Sequence, residues 1–439
     1  MLNCDSLICF VHLGGGEEMT SRERVRKSIS HQVPDKVPLD LGSTPVTGIA
    51  ASAYAKLREA LGLKFQRVKV WEPFQVLAEV EPEMRELLGV DTIGLELPVT
   101  MFGFRNENWK PWQLFDGTEV LVSGHFVTMA DKNGGLLLYP GGDASVPPSA
   151  RMPYGGYYFD NIVRQEPIDE SRLDPRDFVK GQYELYSEED LRFLEARGEE
   201  LYRNTTLSVV GCFWQGGFGD IAQVPGPSVK HPKGIREPQE WYIAHLTHPE
   251  YVKGIFELQC EIALENLKLY RQAVGDRIDI IVISGSDFGS QRGPFISPDM
   301  YREFYMPFHK RLNDWVHQNT GWKTFFHSCG SVAAFLDDFI EAGVDILNPV
   351  QCSAAEMDPA SLKGKYGKRL VFWGGGIDTQ RTLPFGTPEE VRREVKERLR
   401  IFGERGGFVF SAIHNIQQNT PVPNLVALFE TFAKHRAIG

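Results

Sequence analysis

Cysteine is scarce in this chain: Cys4, Cys9, Cys212, Cys260, Cys329 and Cys352 are the only six among 439 residues. So sparse a set builds no disulfide framework and suits a reducing cytosol, so a cytoplasmic location is expected. Long apolar runs are missing as well, which excludes a membrane-spanning helix. Lys and Arg form no extended cluster and the net charge is -11, so no surface is suited to the phosphates of a nucleic acid. There is no internal repeat or low-complexity tract. What is there, 42% hydrophobic and 24% charged residues, is the balance of a globular enzyme.

The first 18 residues, "MLNCDSLICFVHLGGGEE", lack the basic start and small-residue cleavage site of a signal peptide. A helical pattern with a Thr/Ser cap begins at Met19, so residues 1–18 are expected to be a disordered leader with Met19 as the natural start, and residues 19–439 one domain. Eight apolar runs can be counted: "VPLDLG" at 37, "TIGLEL" at 92, "TLSVVGCF" at 206, "IDIIVISG" at 278, "TFFHSC" at 324, "VDILNPV" at 344, "RLVFWGG" at 369 and "GFVFSAI" at 407. Between the later runs lie amphipathic helical stretches. Continuous apolar strands alternating with helices predict an α/β fold, a parallel sheet closed into a (β/α)8 TIM barrel. No GxGxxG follows the first run, which argues against a dinucleotide-binding open sheet. Residues from about 100 to 165 break the rhythm. Alternating polarity around Asp116-Gly117 and Asn133-Gly134 predicts antiparallel β-hairpins inserted after strand 2, placed over the barrel mouth or serving as an oligomer contact.

In such a barrel the functional side chains sit at the C-terminal strand ends. Those ends carry Asp40, Ser286-Asp287, His327 with Cys329, Gln351, Asp378 and His414. His327 and Cys329 are two apart, so on an extended segment both leave the same face and reach one ion. Zinc accepts imidazole nitrogen and thiolate sulfur. His414 is the natural third ligand and Cys352 the competitor. The plainer reading of H-x-C on a strand is a packed histidine and an inert thiol. Position at a barrel mouth with Gly330 following weighs against that. For Asp287 and Asp378 the plain reading is a turn or helix cap, and for Cys212 and Cys260 it is burial.

The pattern "HSCGSVAAFLDDFIEAGVDILNPVQ", followed by "RLVFWGGGIDTQ" and "IHNIQQNTPVPN", resembles the uroporphyrinogen decarboxylase superfamily. The likeness runs from about residue 19 to the end and is strongest after residue 278. It implies a (β/α)8 barrel with one of two chemistries: cofactor-free porphyrinogen decarboxylation, or zinc-dependent methyl transfer to or from a corrinoid. The methyltransferase branch resembles this chain in its H-x-C, here His327 and Cys329, and in a third zinc ligand near the C-terminus. Coenzyme M methyltransferases have cysteine in that third place, where this chain has His414. A His-Cys-His set has one thiolate fewer and makes the metal a stronger Lewis acid. Decarboxylases have an N-terminal "RQAGRY"-like arginine motif for substrate carboxylates, whereas this chain has "VPLDLGSTPVTGI", without arginine.

The resemblance therefore implies a zinc-dependent methyltransferase of the O-demethylase kind. The ion would be held by His327, Cys329 and His414, with the methyl group passing between a small O-methyl substrate and a corrinoid (cobalamin) on a partner protein. Trp71, Phe74, Trp109, Trp112, Tyr139, Tyr154, Tyr157 and Tyr158 suit a flat substrate such as an aryl methyl ether. Asp287, Gln291 and Asp40 are expected to orient the substrate or support the histidines. A homodimer is compatible with this scheme. A cofactor-free decarboxylase and a non-catalytic scaffold that binds a corrinoid or another partner domain are the alternatives.

Overall fold

The computed structural model describes residues 18–438; the expected leader, and with it Cys4 and Cys9, otherwise falls outside the described residues. Seven of the eight apolar runs form one curled, all-parallel sheet. Its strands are Thr92–Leu95, Ser208–Cys212, Ile280–Ser284, Lys323–His327, Ile346–Asn348, Val371–Trp373 and Phe408–Val409, each hydrogen-bonded to the next in chain order. Every residue of Ser208–Cys212 and of Ile280–Ser284 is buried. That is why these segments read as unbroken apolar runs: helices cover the outer face and the neighbouring strands fill the inner one.

The eighth run behaves differently. Asp40 N–H donates to Phe410 O (2.9 Å), Phe410 N–H to Pro38 O (2.9 Å) and Asp91 N–H to Leu39 O (2.8 Å), so the segment 38–40 bonds to both outer strands of the sheet. Pro38 has no N–H to give, and the pairing is reduced to a parallel bridge between Leu39 and Phe410.

Inside the sheet, Val210, Ile280, Val282, Phe325, Ile346, Val371, Trp373 and Val409 form one apolar cluster, which Val25 and Ile29 join from the helix Ser21–Ile29. That helix starts where a capping box places it: the Thr20 hydroxyl accepts from Glu23 N–H while the Glu23 carboxylate accepts from Thr20 N–H. The helix Pro388–Phe402 starts by the same device, with Thr387 and Glu390. In the stretch after Pro298, the helical ladder widens to a π-turn over Tyr301–Tyr305, just before Pro307, whose missing N–H cannot continue the regular pattern.

Between Leu95 and Ser208 the chain forms antiparallel pairs at both predicted turns. Lys110–Gln113 pairs with Glu119–Val122 around Gly117, and Thr128–Ala130 with Leu136–Leu138 around Gly134, both glycines having positive φ. These hairpins do not stand alone. Glu119–Val122 also pairs in parallel with Val68–Glu72, and the second hairpin is extended by Ala150–Met152 and Asp160–Asn161. Val68–Glu72 escaped the sequence reading because "VKVWE" is short and flanked by polar residues.

Candidate functional site

The strand Lys323–His327 ends in a buried histidine, and Cys329 follows two residues beyond it. Cys329 Sγ lies 3.3 Å from His327 Nε2. His414 arrives from the loop after Phe408–Val409, its ring centroid 5.1 Å from that of His327. Together the three side chains offer ligand atoms that all lie within 4.8 Å of one another. Cys352 is elsewhere: its thiol contacts Val350 O at 3.2 Å, and burial pushes it up to about 12.

Each member of the cluster is held by its own partners. Asn348 Nδ2 donates to Trp373 O (2.8 Å), which turns its Oδ1 toward His327 Nδ1 at 2.6 Å. His327 therefore carries its proton on Nδ1, and Nε2 presents a lone pair to the cluster. His414 is set in the opposite tautomer, since its Nδ1 accepts Asn415 N–H at 2.8 Å and the neutral ring then carries its proton on Nε2. Its backbone lies in the left-handed region, φ +65°, a conformation histidine adopts only when its surroundings impose it. Asn415 supplies that constraint by accepting from Gly48 N–H (2.6 Å) and donating to Pro45 O (2.8 Å) and Gln75 Oε1 (2.9 Å). Cys329 N–H donates to Asp287 Oδ1 (2.6 Å), and Gly330 N–H to Gln351 Oε1 (2.7 Å). Gly330 has φ +82°, and a Cβ there would meet Gly289 O at 2.2 Å, so only glycine lets the two loops pack this closely.

In the absence of an ion these donors are neutral. Burial lowers His327, and burial with the neighbouring His327 brings His414 down to about 3. Burial, reinforced by Asp287, raises the Cys329 thiol well above its usual range. Two neutral imidazoles and a protonated thiol thus share one small volume, and a cation placed among them would have to displace the thiol proton.

Two cavities meet at the cluster. An outer one of about 550 Å³ is bordered by Tyr157, Tyr158, Gln291, Cys329, Gln351 and His414. An inner one of about 500 Å³ reaches Asp287, His327 and His414 and is walled by Trp71, Phe74, Tyr183, Tyr186, Phe213 and Trp214. The predicted Asp287 and Gln291 are thus brought to the site, and Trp71, Phe74, Tyr157 and Tyr158 line it. Trp112 borders a separate cavity with Tyr157, Tyr139 is buried, Tyr154 is 74% exposed and Trp109 lies beside Lys69. Asp378 closes a turn of its own loop, accepting from Gln380 N–H (2.7 Å) and Arg381 N–H (3.1 Å). Cys212 and Cys260 are buried.

Asp40 requires a correction. It borders neither cavity at the cluster; it is buried inside the sheet, where it accepts from Trp373 Nε1 (2.8 Å), Thr92 Oγ1 (2.7 Å) and Ser43 N–H (3.2 Å). At that depth it ties strands together and does not face a substrate. The acid that does face the inner cavity is Glu96, directly after Thr92–Leu95. Burial pushes Glu96 up to about 8, against a partial offset from the Cys212 thiol and the Trp214 indole. Neither of these makes an ordinary hydrogen bond to it: Glu96 Oε2 and Trp214 Nε1 are both buried without a partner. Glu72 and Asp220 also line this cavity, each pushed up by burial to about 7. Glu96 closes the run "TIGLEL", and Asn348 closes "VDILN", so reading the last residue of every run finds both.

Residues 232–435 match the family model described as Uroporphyrinogen decarboxylase (URO-D). The uroporphyrinogen decarboxylase of Mannheimia succiniciproducens is 28% identical over 126 residues, 28% of this chain and 33% of that protein. That of Coxiella burnetii is 26% identical over 145 residues, 31% of this chain and 37% of that protein. The chain thus spans about a third of the length of these curated relatives. A methyltransferase from Methanosarcina mazei shares the fold, with 16% identity and a TM-score of 0.52 over 95% of this chain and 99% of that one. Among the described residues no helix is long and apolar enough to cross a membrane.

Proposed function

We propose that this chain, whose residues 232–435 match the uroporphyrinogen decarboxylase model and whose fold is shared with a methyltransferase, is itself a metal-dependent methyltransferase. On this reading it moves a methyl group between a small O-methylated substrate, such as an aryl methyl ether, and a corrinoid on a partner protein. The seven-stranded sheet and the segment 38–40 are taken together as the closed (β/α)8 barrel. The observation that carries the proposal is the convergence of His327, Cys329 and His414 where two cavities meet.

The donor set fits zinc: two imidazoles and one thiol from two strand ends, leaving a coordination position for substrate, as catalytic zinc sites do. Bound there, zinc would supply Lewis acidity toward the heteroatom that carries the methyl group. The protein's own residues do the rest. Asn348 keeps the proton of His327 on Nδ1, Asp287 fixes the Cys329 backbone, and the aromatic walls of the inner cavity exclude water from the reacting group.

Decarboxylation of a porphyrinogen is disfavoured by the linings. Neither cavity includes a Lys or Arg side chain, and the inner one includes Glu72, Glu96, Asp220 and Asp287. A tetracarboxylate substrate would meet repulsion there with no basic partner. Metal analysis separates an enzyme from a scaffold: about one zinc per chain is expected, lost in Cys329→Ser, and a native protein that binds no metal refutes the proposal. Incubation with cob(I)alamin and methoxyarenes should then yield methylcobalamin from the metal-loaded protein. No product from any methoxyarene refutes the choice of substrate.

A further inference from the structure

The inner cavity has a charge character that the metal cluster does not explain. Its lining joins an aromatic wall to several acids and includes no Lys or Arg; its only nitrogen bases are His327 and His414 of the cluster itself. Two of the acids have local reasons to be there. Glu72 accepts N–H bonds from Phe74 and Gln75, both 2.8 Å, and Asp220 accepts from Ala222 N–H at 2.9 Å, so each closes a turn of its own loop. Glu96 accepts no backbone N–H; the Cys212 thiol and the Trp214 indole lie beside it, yet its Oε2 is buried without a hydrogen bond. Asn106 Oδ1, on the same lining, is a second buried acceptor without a partner. Against these stand two buried unpartnered groups able to donate, the Thr100 hydroxyl and Trp214 Nε1, the latter held at the strand end by a left-handed backbone of φ +61°.

An unpaired buried acceptor costs stability unless a ligand completes it, and such groups persist where a ligand does. A carboxyl among Trp, Tyr and Phe side chains is the environment that recognises an alkylated ammonium: the aromatic faces attract the spread positive charge while the carboxylate neutralises it. An anionic ligand would satisfy Thr100 and Trp214 alone and be repelled by the acids. A neutral ligand would leave Glu96 in the protonated form that burial favours, whereas a cation would hold it ionised.

We infer that the inner cavity binds a small organic cation with an alkylated ammonium head, Glu96 serving as its counter-charge and the aromatic lining as its walls. The inference rests on the reading of this cavity as the substrate site, and it narrows that reading: among O-methylated substrates, one that also carries an alkylated ammonium group is favoured over a plain aryl methyl ether.

Calorimetric titration of the full chain tests this without any corrinoid. The probes are tetramethylammonium, choline and dimethylammonium chlorides, set against 3,3-dimethyl-1-butanol, the neutral carbon isostere of choline. At least one ammonium should bind about tenfold more tightly than the isostere. Glu96→Gln, which keeps the shape and removes the charge, should bring the two within about twofold of each other, and Glu96→Asp should restore part of the preference. The inference is overturned if no ammonium outcompetes the isostere, or if Glu96→Gln, folded by circular dichroism, retains the full preference. Methylcobalamin formation is measured separately. An active, zinc-loaded protein without ammonium preference sinks this inference alone, whereas a metal-free protein that prefers ammonium sinks the methyl-transfer reading alone.

Discussion

Two acids flank the same strand, Thr92–Leu95, and their surroundings are opposite. Asp91, just before it, accepts from Arg24 Nη1 at 2.6 Å and from Leu39 N–H at 2.9 Å and is also paired with Arg436. Both arginines are tied further, Arg24 to Asp35 (2.7 Å) and Arg436 to Val37 O (3.0 Å) and Gly89 O (2.8 Å). Glu96, just after the strand, has no basic partner and an oxygen with no hydrogen bond. At the N-terminal end of the sheet buried charge is fully compensated, while at the C-terminal end it is left open. On the proposed reading the first arrangement serves stability and the second binding, the division expected if the parallel sheet closes into a barrel.

The contrast can be tested from both ends. The largest stability effect is expected from Asp91→Ala, which leaves two arginines partly uncompensated: a loss of about 3–5 kcal/mol in denaturant unfolding, with ammonium binding unchanged where the protein remains folded. At the other end, Cys329→Ser should lower methyl transfer on the order of 10²–10³-fold and release the metal, with little change in apo-protein stability.

Glu96→Gln should move stability in the opposite direction from Asp91→Ala. The folded-state value of about 8 lies above the ordinary 4.5, so between these limits the folded state holds more protons than the unfolded state. Stability contributed by the protonated acid is therefore lost as pH rises through that window. Replacing Glu96 should flatten the fall and stabilise the ion-free protein by roughly 2–3 kcal/mol at pH 8, measured by urea unfolding at pH 5 and pH 8. A variant that unfolds with the same pH dependence as the parent would show that Glu96 is compensated after all. The smallest effect is expected from Asn348→Ala, which frees the His327 tautomer and should weaken zinc binding about 10–100-fold in a competition assay with a chelator.

Much of the framework was readable in advance because its signals are local. Seven apolar runs became the seven strands, as their length and flanking helices require, and both Asp/Asn-Gly turns sit in antiparallel pairs. His327 and Cys329 were legible as a pair because spacing by two is a backbone property. The failures share a cause. Asp40 and Glu96 each follow β-rich residues near the end of a run, yet one points inward to Trp373 and the other lines the cavity. Polarity at a strand end does not reveal which way a side chain turns. Likewise "IHNIQQNTP" gives no local sign that His414 takes a left-handed backbone, a conformation the contacts of Asn415 with Gly48 and Pro45 impose.

The amino-acid order alone determined the alternation of strands and helices, the scarcity of thiols and the proximity of one histidine to one cysteine. These follow from periodicity, composition and the geometry of neighbouring residues. Only the tertiary structure decided that His414 and not Cys352 completes the cluster, and that Asn348 orients it. It alone decided too that the cavity beneath carries acids without a lysine or arginine. Those features depend on which strand ends meet in space and on which charges share a desolvated volume, and both arise only once the sheet has curled and drawn distant segments together.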